Sequence, residues 1–400
     1  MNKRILIISQ HFYPEIGSAG NRIKNIYQLL THKGYDVSVM TTDPSYPNKK
    51  IYEDNMFWDD ITIENDSPKI TRIHVSNRKY SRSLINRLFF FIEVAIKLIF
   101  KIVKDKHKYD FIYVTSPPIF IGIVGLIAKK KMNTKLILEI RDLWPESLRG
   151  VGVFNNRMIL KFFGWVEKVM YKNADYIIVN SSGFIDFISE KAHLPPGKIH
   201  YIPNSAREYE IKSTSVSNEE YRVIYTGNIG LAQDVEFLKD LARKLDQNNF
   251  NLTVIGYGIK RKELKEFIQT EKLENVTLKS PLTRKDCLEV IRQHHVGIVS
   301  LNDKQVFDTV LPGKVIDYMT CKIPIVASVS GYSKTLIEEN HVGFVSENRE
   351  VDEIYKYIKY IFENPKERIT MSRNCESCIR DNFLWEKNIN SLEAILNETD

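Results

Sequence analysis

Residues 311–328 read LPGKVIDYMTCKIPIVAS. This is a loop, a helix and a buried strand in that order. Leu311, Pro312 and Gly313 make a tight turn, Lys314 to Met319 open a helix, and Ile323 to Ser328 form a short apolar strand. Pro324 stands at the strand's start, where a missing N–H is tolerated. The helix N-terminus presents unsatisfied backbone N–H groups and the positive end of its dipole. Lys314 adds a full charge beside them. Three residues on, Asp317 lies on the same helical face one turn deeper. The arrangement suits a nucleotide, with phosphates at the N–H groups and Lys314 and ribose hydroxyls at the carboxylate. A helix that merely begins with lysine gives the same short pattern.

Upstream, strands and helices alternate. Tyr221 to Thr226, Asn251 to Ile255, Val276 to Leu278 and Val296 to Ser300 read as strands, separated by helices over 235–245, 261–271 and 285–293. Such alternation predicts a parallel α/β sheet. The strand ends at Gly227, Gly256, Pro281 and Leu301 then share one rim with the helix start at Lys314. Gly256 and Gly258 leave room there for phosphates and a base. The polar run 206–220 reads as a linker.

The first half repeats the pattern. Arg4 to Ser9 is a strand, the loop HFYPEIGSAGNR follows, a helix covers Asn21 to Lys33, and Tyr35 to Thr41 is the next strand. The loop lies at the carboxyl end of the first strand, where such sheets bind ligands. It is not a GxGxxG fingerprint. Gly17 would let a ligand approach the backbone, and Arg22 could meet an anion or simply be solvated. Strands at 109–115, 135–140, 175–180 and 198–202 continue the sheet. Arg141 and Asp142 follow the 135–140 strand directly, as a reacting pair or as an ion pair capping the loop.

Residues 69–108 hold eleven Lys or Arg against Glu93 and Asp105. Within them Leu84 to Lys104 has helical period, with Asn86, Glu93, Lys97, Lys101 and Lys104 as a narrow polar stripe. The charges argue against a spanning helix. The basic flanks Arg78, Lys79, Arg82, Lys106 and Lys108 favour an anionic membrane surface reached through residues 78–108. A core helix with snorkelling lysines is the alternative.

Four hundred residues predict two domains, and a net charge of +7 hints at an anionic partner. The basic residues cluster round an apolar helix, which argues against a nucleic-acid partner. No cysteine precedes Cys287, so no disulfide framework is expected, and the lone CxxC at Cys375 and Cys378 is a weak metal signal. A reducing cytoplasm and no signal peptide are the expectations.

The motifs FYPEIGSAGNR (12–22), IRDLWPES (140–147), IPN (202–204), YTGNIG (225–230), LPGKVIDYM (311–319) and KIPIVAS (322–328) together resemble a family 4 glycosyltransferase. The likeness is to the bacterial O-antigen and capsule branch, including transferases of N-acetyl-fucosamine type. It implies a GT-B fold: two Rossmann-like α/β domains with a cleft between them. The expected division is an acceptor-binding domain at 1–205, a nucleotide-sugar-binding domain at 206–380, and a helix over 381–400 crossing back. It further implies retaining transfer from a UDP-sugar to a polyprenyl-diphosphate-linked saccharide, with no cofactor or obligatory metal, by an enzyme peripheral on the inner face of the bacterial membrane. The resemblance assigns Lys314, Arg141 and Asp142 to catalysis. It assigns Gly17, Asn204, Asn228, Gln233, Gly256, Gly258, Pro281, Leu282, Leu311, Pro312, Gly313 and Asp317 to the donor, and Glu15 and Arg22 to the acceptor.

Three departures from the family's pattern stand out. Asp317 replaces the usual glutamate, Thr309 replaces a second glutamate with Asp308 beside it, and Asn228 and Gln233 stand near the place of an Arg and Lys pair. Rival readings are a UDP-sugar 2-epimerase on the same fold and a non-catalytic membrane-bound nucleotide-sugar sensor.

Overall fold

The computed structural model describes residues 3–64, 67–75, 84–150, 152, 156–195, 197–212 and 220–398. The chain divides into two units, residues 1–203 with 386–400, and residues 204–385.

In the first unit the elements run β1 (Arg4–Ile8), α1 (Ser18–His32), β2 (Asp36–Thr42), β3 (Ile70–Ile73), α2 (Leu84–Lys104), β4 (Phe111–Ser116) and α3 (Ile119–Met132). Then come β5 (Lys135–Ile140), α4 (Glu146–Gly150), α5 (Arg157–Asn173), β6 (Tyr176–Val179), α6 (Phe184–Ala192) and β7 (Ile199–Tyr201). The seven strands are ordered β3-β2-β1-β4-β5-β6-β7. Every recorded pairing is parallel. Strands such as β4 and β5 are buried almost throughout, as a sheet covered on both faces requires.

In the second unit the order is β8 (Arg222–Asn228), α7 (Val235–Asp246), β9 (Asn251–Tyr257), α8 (Arg261–Glu271), β10 (Val276–Lys279), α9 (Arg284–Ile291) and β11 (Val296–Ser300). It continues with α10 (Gly313–Thr320), β12 (Ile325–Ser328), α11 (Gly331–Glu339), β13 (Gly343–Val345), α12 (Val351–Glu363) and α13 (Pro365–Asn382). Its parallel strands are ordered β10-β9-β8-β11-β12-β13. Val223, Leu238, Leu241, Val254, Ile298, Ile354 and Ile358 share its core. A last helix, α14 (Trp385–Asn397), begins at the second unit's fully buried Trp385. It ends on the first unit, with Lys33 Nζ 2.7 Å from Glu393 and Tyr176 donating to Glu398 at 2.8 Å.

The alternation in sequence thus gives two doubly wound sheets, each reversing strand order next to its first strand. Some expectations shift. Helix α1 starts at Ser18 rather than Asn21, because Gly17 (φ 109°) takes the N-cap position that only a glycine adopts easily. The first residues of the supposed linker belong to the second unit: Ala206 donates to Phe383 O at 2.8 Å and accepts from Trp385 N–H at 2.9 Å. The linker's centre, 213–219, lies outside the described residues, as do Arg78, Lys79 and Arg82.

Helix α2 occupies its expected span and shows two apolar faces rather than one. Phe90, Val94, Leu98 and Ile102 are buried, whereas Phe89, Ile96, Phe100 and Val103 are exposed. Among the described residues no helix is long and apolar enough to cross a membrane.

Candidate functional site

The second unit's strand order reverses between β8 and β11. There the ladder is short, pairing only Val296 with Val223 and Gly297 with Ile224. The side chain of Tyr318, on α10, fills the splay. A Cβ on Gly297 would lie within 3 Å of that ring. The Tyr318 hydroxyl accepts from Thr226 N–H at 2.9 Å and donates to Ile298 O at 3.2 Å. It thereby replaces ladder bonds the diverging strands give up, and it pins α10 over the switch point.

That anchoring sets where α10 begins. Pro312 is its N-cap and Gly313 its first residue, one earlier than expected, and no side chain caps it. The free N–H groups of its first turn stand beside Lys314, whose Cε lies 3.8 Å from where Gly227 would carry a Cβ. Gly227 (φ 104°) keeps that space open. The Lys314 ammonium sits 3.5 Å from the centroid of the buried Tyr225 ring. It is shut from solvent and has no hydrogen-bond partner. Burial pushes its pKa down to about 7, against the pull of Asp317. An unpartnered buried ammonium over an aromatic face, beside uncapped N–H groups, is an arrangement whose charge and donors suit an anion.

Glycines shape the adjoining rim. A Cβ on Gly258 (φ 120°) would come 2.6 Å from Ile229 O, and one on Gly256 would strike the Ile229 side chain. Gln233 accepts from Gly230 N–H at 3.0 Å and closes the loop after Asn228. Pro281 and Leu282 are half-buried on the same rim after β10, and Leu311 is buried beneath the turn. The structure therefore brings Gly227, Asn228, Gln233, Gly256, Gly258, Pro312, Gly313, Lys314 and Asp317 to the side of the sheet where β8 and β9 end. Asn204 stands at the second unit's first position, remote from these in sequence, and is half-buried.

Asp317 is less free than its position suggests. Arg284 donates to it at 2.8 Å and holds Glu210 with both ends of the guanidinium, at 2.5 and 3.0 Å. Burial pushes the Asp317 carboxyl up, while Arg284 opposes the shift. The Asp317 side chain keeps 28% of its surface. Asp308 is likewise engaged, accepting from the Ser330 hydroxyl at the start of α11. The Thr309 hydroxyl returns to Val306 O at 2.8 Å.

In the first unit the predicted residues are drawn into the fold. Arg22, expected to meet an anion, is only 1% exposed and donates to Glu139 at 2.6 Å and to Pro203 O at 2.9 Å. Tyr113 also donates to Glu139. A guanidinium on that inward face of α1 satisfies a buried carboxylate rather than a ligand. Glu15 is buried too, accepting from Ser45 N–H at 2.6 Å, Tyr46 N–H at 2.9 Å and the His11 ring. It ties two loops together.

Arg141 donates to Pro117 O at 3.0 Å and lies 3.8 Å from Glu139. Burial lowers its pKa. The Asp142 carboxyl is raised by burial and held by the Ser147 hydroxyl and Leu143 N–H at the entrance to α4. Both sit at the carboxyl end of β5, as expected, with the loop-capping contacts made.

Sequence reading missed Tyr225, Arg284 and Tyr318. A usable signal existed for Arg284: a cation in the first turn of α9 opposes the helix dipole and calls for a specific acid. All four cysteines are free, with Cys321, Cys375 and Cys378 buried. Among the described residues no group of three or more His, Cys, Asp or Glu is placed to hold a metal.

Comparison with known proteins matches residues 19–206 to the family described as Glycosyltransferase Family 4. Residues 206–377 match Glycosyl transferases group 1. A protein of Escherichia coli K12 described as the colanic acid biosynthesis glycosyl transferase WcaI is 20% identical over 347 residues, covering 83% of this chain and 84% of that one. Among solved structures, the sucrose-phosphate synthase of Thermosynechococcus elongatus superposes with a TM-score of 0.75 at 17% identity, over 99% of this chain and 98% of its own. Anabaena Alr3699/HepE, solved with UDP and glucose, gives 0.71 at 16% identity over 99% of each chain.

Proposed function

Because the chain is a glycosyltransferase of the family 4 type with the two-domain GT-B fold, we propose that it transfers a sugar, with retention, from a UDP-sugar to a polyprenyl-diphosphate-linked saccharide. The donor would be an N-acetylated hexosamine, 6-deoxy forms included, and the product a capsule or O-antigen precursor. The observation that carries the reading is the unpartnered Lys314 ammonium beside the uncapped start of α10. UDP is the nucleotide by analogy with the HepE complex.

As the sugar–diphosphate bond breaks, negative charge collects on the leaving phosphate. Lys314 and the first-turn N–H groups of α10 meet that charge in place, without reorganising. One such donor is commonly worth about 3 kcal/mol, or ~100-fold in turnover. The acceptor hydroxyl would give its proton to the leaving phosphate on the same face. Asp317, still partly exposed beside Arg284, would take a ribose hydroxyl. No metal enters this scheme. The exposed residues of α2, Phe89, Ile96, Phe100 and Val103, with Lys101 and Lys104 beside them, would hold the enzyme on the inner, anionic leaflet where the lipid acceptor lies.

The test is product release from purified protein offered a panel of UDP-sugars, each with and without a short polyprenyl-diphosphate saccharide. UDP release with one sugar and only with the lipid acceptor is expected. Isomerisation of the sugar without UDP release, or nucleotide binding with no turnover, would overturn the proposal.

A further inference from the structure

Helix α5 presents a second apolar face, in a part of the chain where sequence periodicity gave no hint of one. Met158, Phe162 and Trp165 are 80%, 57% and 62% exposed, and Ile159 beside them 38%. Spaced by four and three, the first three form one stripe. Basic residues edge it: Arg157, Lys161, Lys168 and Lys172. The helix has one acid, Glu167, which is buried and paired with Lys191. The outward face is therefore apolar at its centre, cationic at its margin and free of acids.

Two further features narrow the partner. A recess of about 390 Å³ at the start of α5 is lined by Arg149, Arg157, Leu160 and Lys161. Among the described residues these three cations make no ion pair, so a concave site gathers like charges without a counterion. Second, the stripe is joined to α2 by an aromatic band. Phe91 stacks on Phe120 of α3 at 6.4 Å, Phe120 meets Phe163 at 6.0 Å, and Phe162 meets Phe163 and Trp165 at 5.5 and 6.3 Å. Helices α2 and α5 thus flank α3, each with exposed apolar residues.

We propose that α5 is a second membrane contact. Phe162 and Trp165 enter the interface of an anionic bilayer, and the Arg149–Arg157–Lys161 recess takes the phosphate of a phospholipid headgroup. Charge complementarity selects the partner: an apolar protein surface would leave the recess cations unneutralised, whereas an anionic leaflet supplies phosphate and hydrocarbon together. Tryptophan at the margin of such a face is suited to the headgroup level. This inference rests on the membrane reading of α2, and the experiment separates the two.

The full-length protein is titrated with vesicles of phosphatidylcholine containing one-third phosphatidylglycerol, and with pure phosphatidylcholine. The chain has four tryptophans, so the Trp165 signal is the difference between wild type and Trp165→Phe. Anionic vesicles should shift that signal to the blue, and lipids brominated near the headgroup should quench it. Phe162→Ser with Trp165→Ser should weaken partitioning roughly tenfold or more. Arg157→Gln and Lys161→Gln should each weaken it by roughly fivefold, only on the anionic vesicles. All are surface changes, so unchanged melting midpoints serve as the folding control.

If vesicles bind, Ile96→Ser with Phe100→Ser abolishes binding, and Trp165 emission stays unmoved, α5 is not a contact and the α2 reading survives. If no variant affects vesicle binding, or no vesicle binds, both membrane readings fall. If the Phe162 and Trp165 changes instead dissociate a dimer in sedimentation while vesicles leave Trp165 untouched, the face joins two copies of the chain and the proposal is wrong.

Discussion

Replacing Lys314 by methionine should stabilise the empty protein and remove its hold on a nucleotide diphosphate. In the folded state burial brings the Lys314 pKa to about 7, from 10.5 in an unfolded chain. Between those values the unfolded state binds more protons. Stability at this site therefore rises as pH climbs from about 7 towards 10.5, and the full penalty of the buried charge is present below pH 7. The difference corresponds to at most about 5 kcal/mol. Because the effective dielectric around a buried charge in a protein is well above that of a dry interior, a gain on the order of 2 kcal/mol at pH 7 is expected for Lys314→Met, shrinking towards pH 10.

Binding reverses the balance, since a diphosphate at the ammonium restores its charge. At pH 8 only about a tenth of free sites are protonated, so each nucleotide bound should take up about 0.9 proton. Affinity for UDP should fall about tenfold from pH 8 to pH 9 and change little from pH 7 down to pH 6 on account of this group. Calorimetry at pH 8 in two buffers of different ionisation enthalpy gives the proton count directly. Lys314→Arg, charged throughout, should show none. Wild type taking up no proton at pH 8, together with a stability difference from Lys314→Met that is flat from pH 6 to 10, would refute the reasoning.

Two further changes test the frame around the site. Tyr318→Phe keeps the ring between β8 and β11 but orphans Thr226 N–H, and should cost about 1–3 kcal/mol in urea unfolding. It should also weaken nucleotide binding through the loosened start of α10, and unchanged values on both counts would contradict the anchoring role. Arg284→Met leaves Glu210 and Asp317 without their shared cation and should lower stability at neutral pH by about 3–5 kcal/mol. The deficit should diminish under acid conditions as the carboxylates protonate, which unfolding curves at pH 7 and pH 4 would show.

The lessons of sequence differ between the two units. Val296 to Ser300 and Lys135 to Ile140 were legible as strands because buried parallel strands are continuous apolar runs. The short β13, the helix α11 and the five-residue α4 were not, since such short elements carry too little period of their own. Lys314, Gly256 and Gly258 could be singled out because phosphate chemistry and backbone freedom are properties of residue type. Tyr318 looked like any core tyrosine, for its role depends on two strands diverging.

What the sequence alone determined is the alternation of strands and helices, the placing of Lys314 at a helix start, and the span of α2. These follow from local periodicity and capping, which short stretches encode. Only the tertiary structure decided which charges are free. Arg22 and Lys314 are both cations near a helix N-terminus, each close to the carboxyl end of a strand. One turns inward onto Glu139, and the other makes no hydrogen bond and is left over Tyr225. It likewise decided that α5 turns Trp165 outward. Partnering and exposure depend on residues brought together from far along the chain, so no reading of a single stretch could have fixed them.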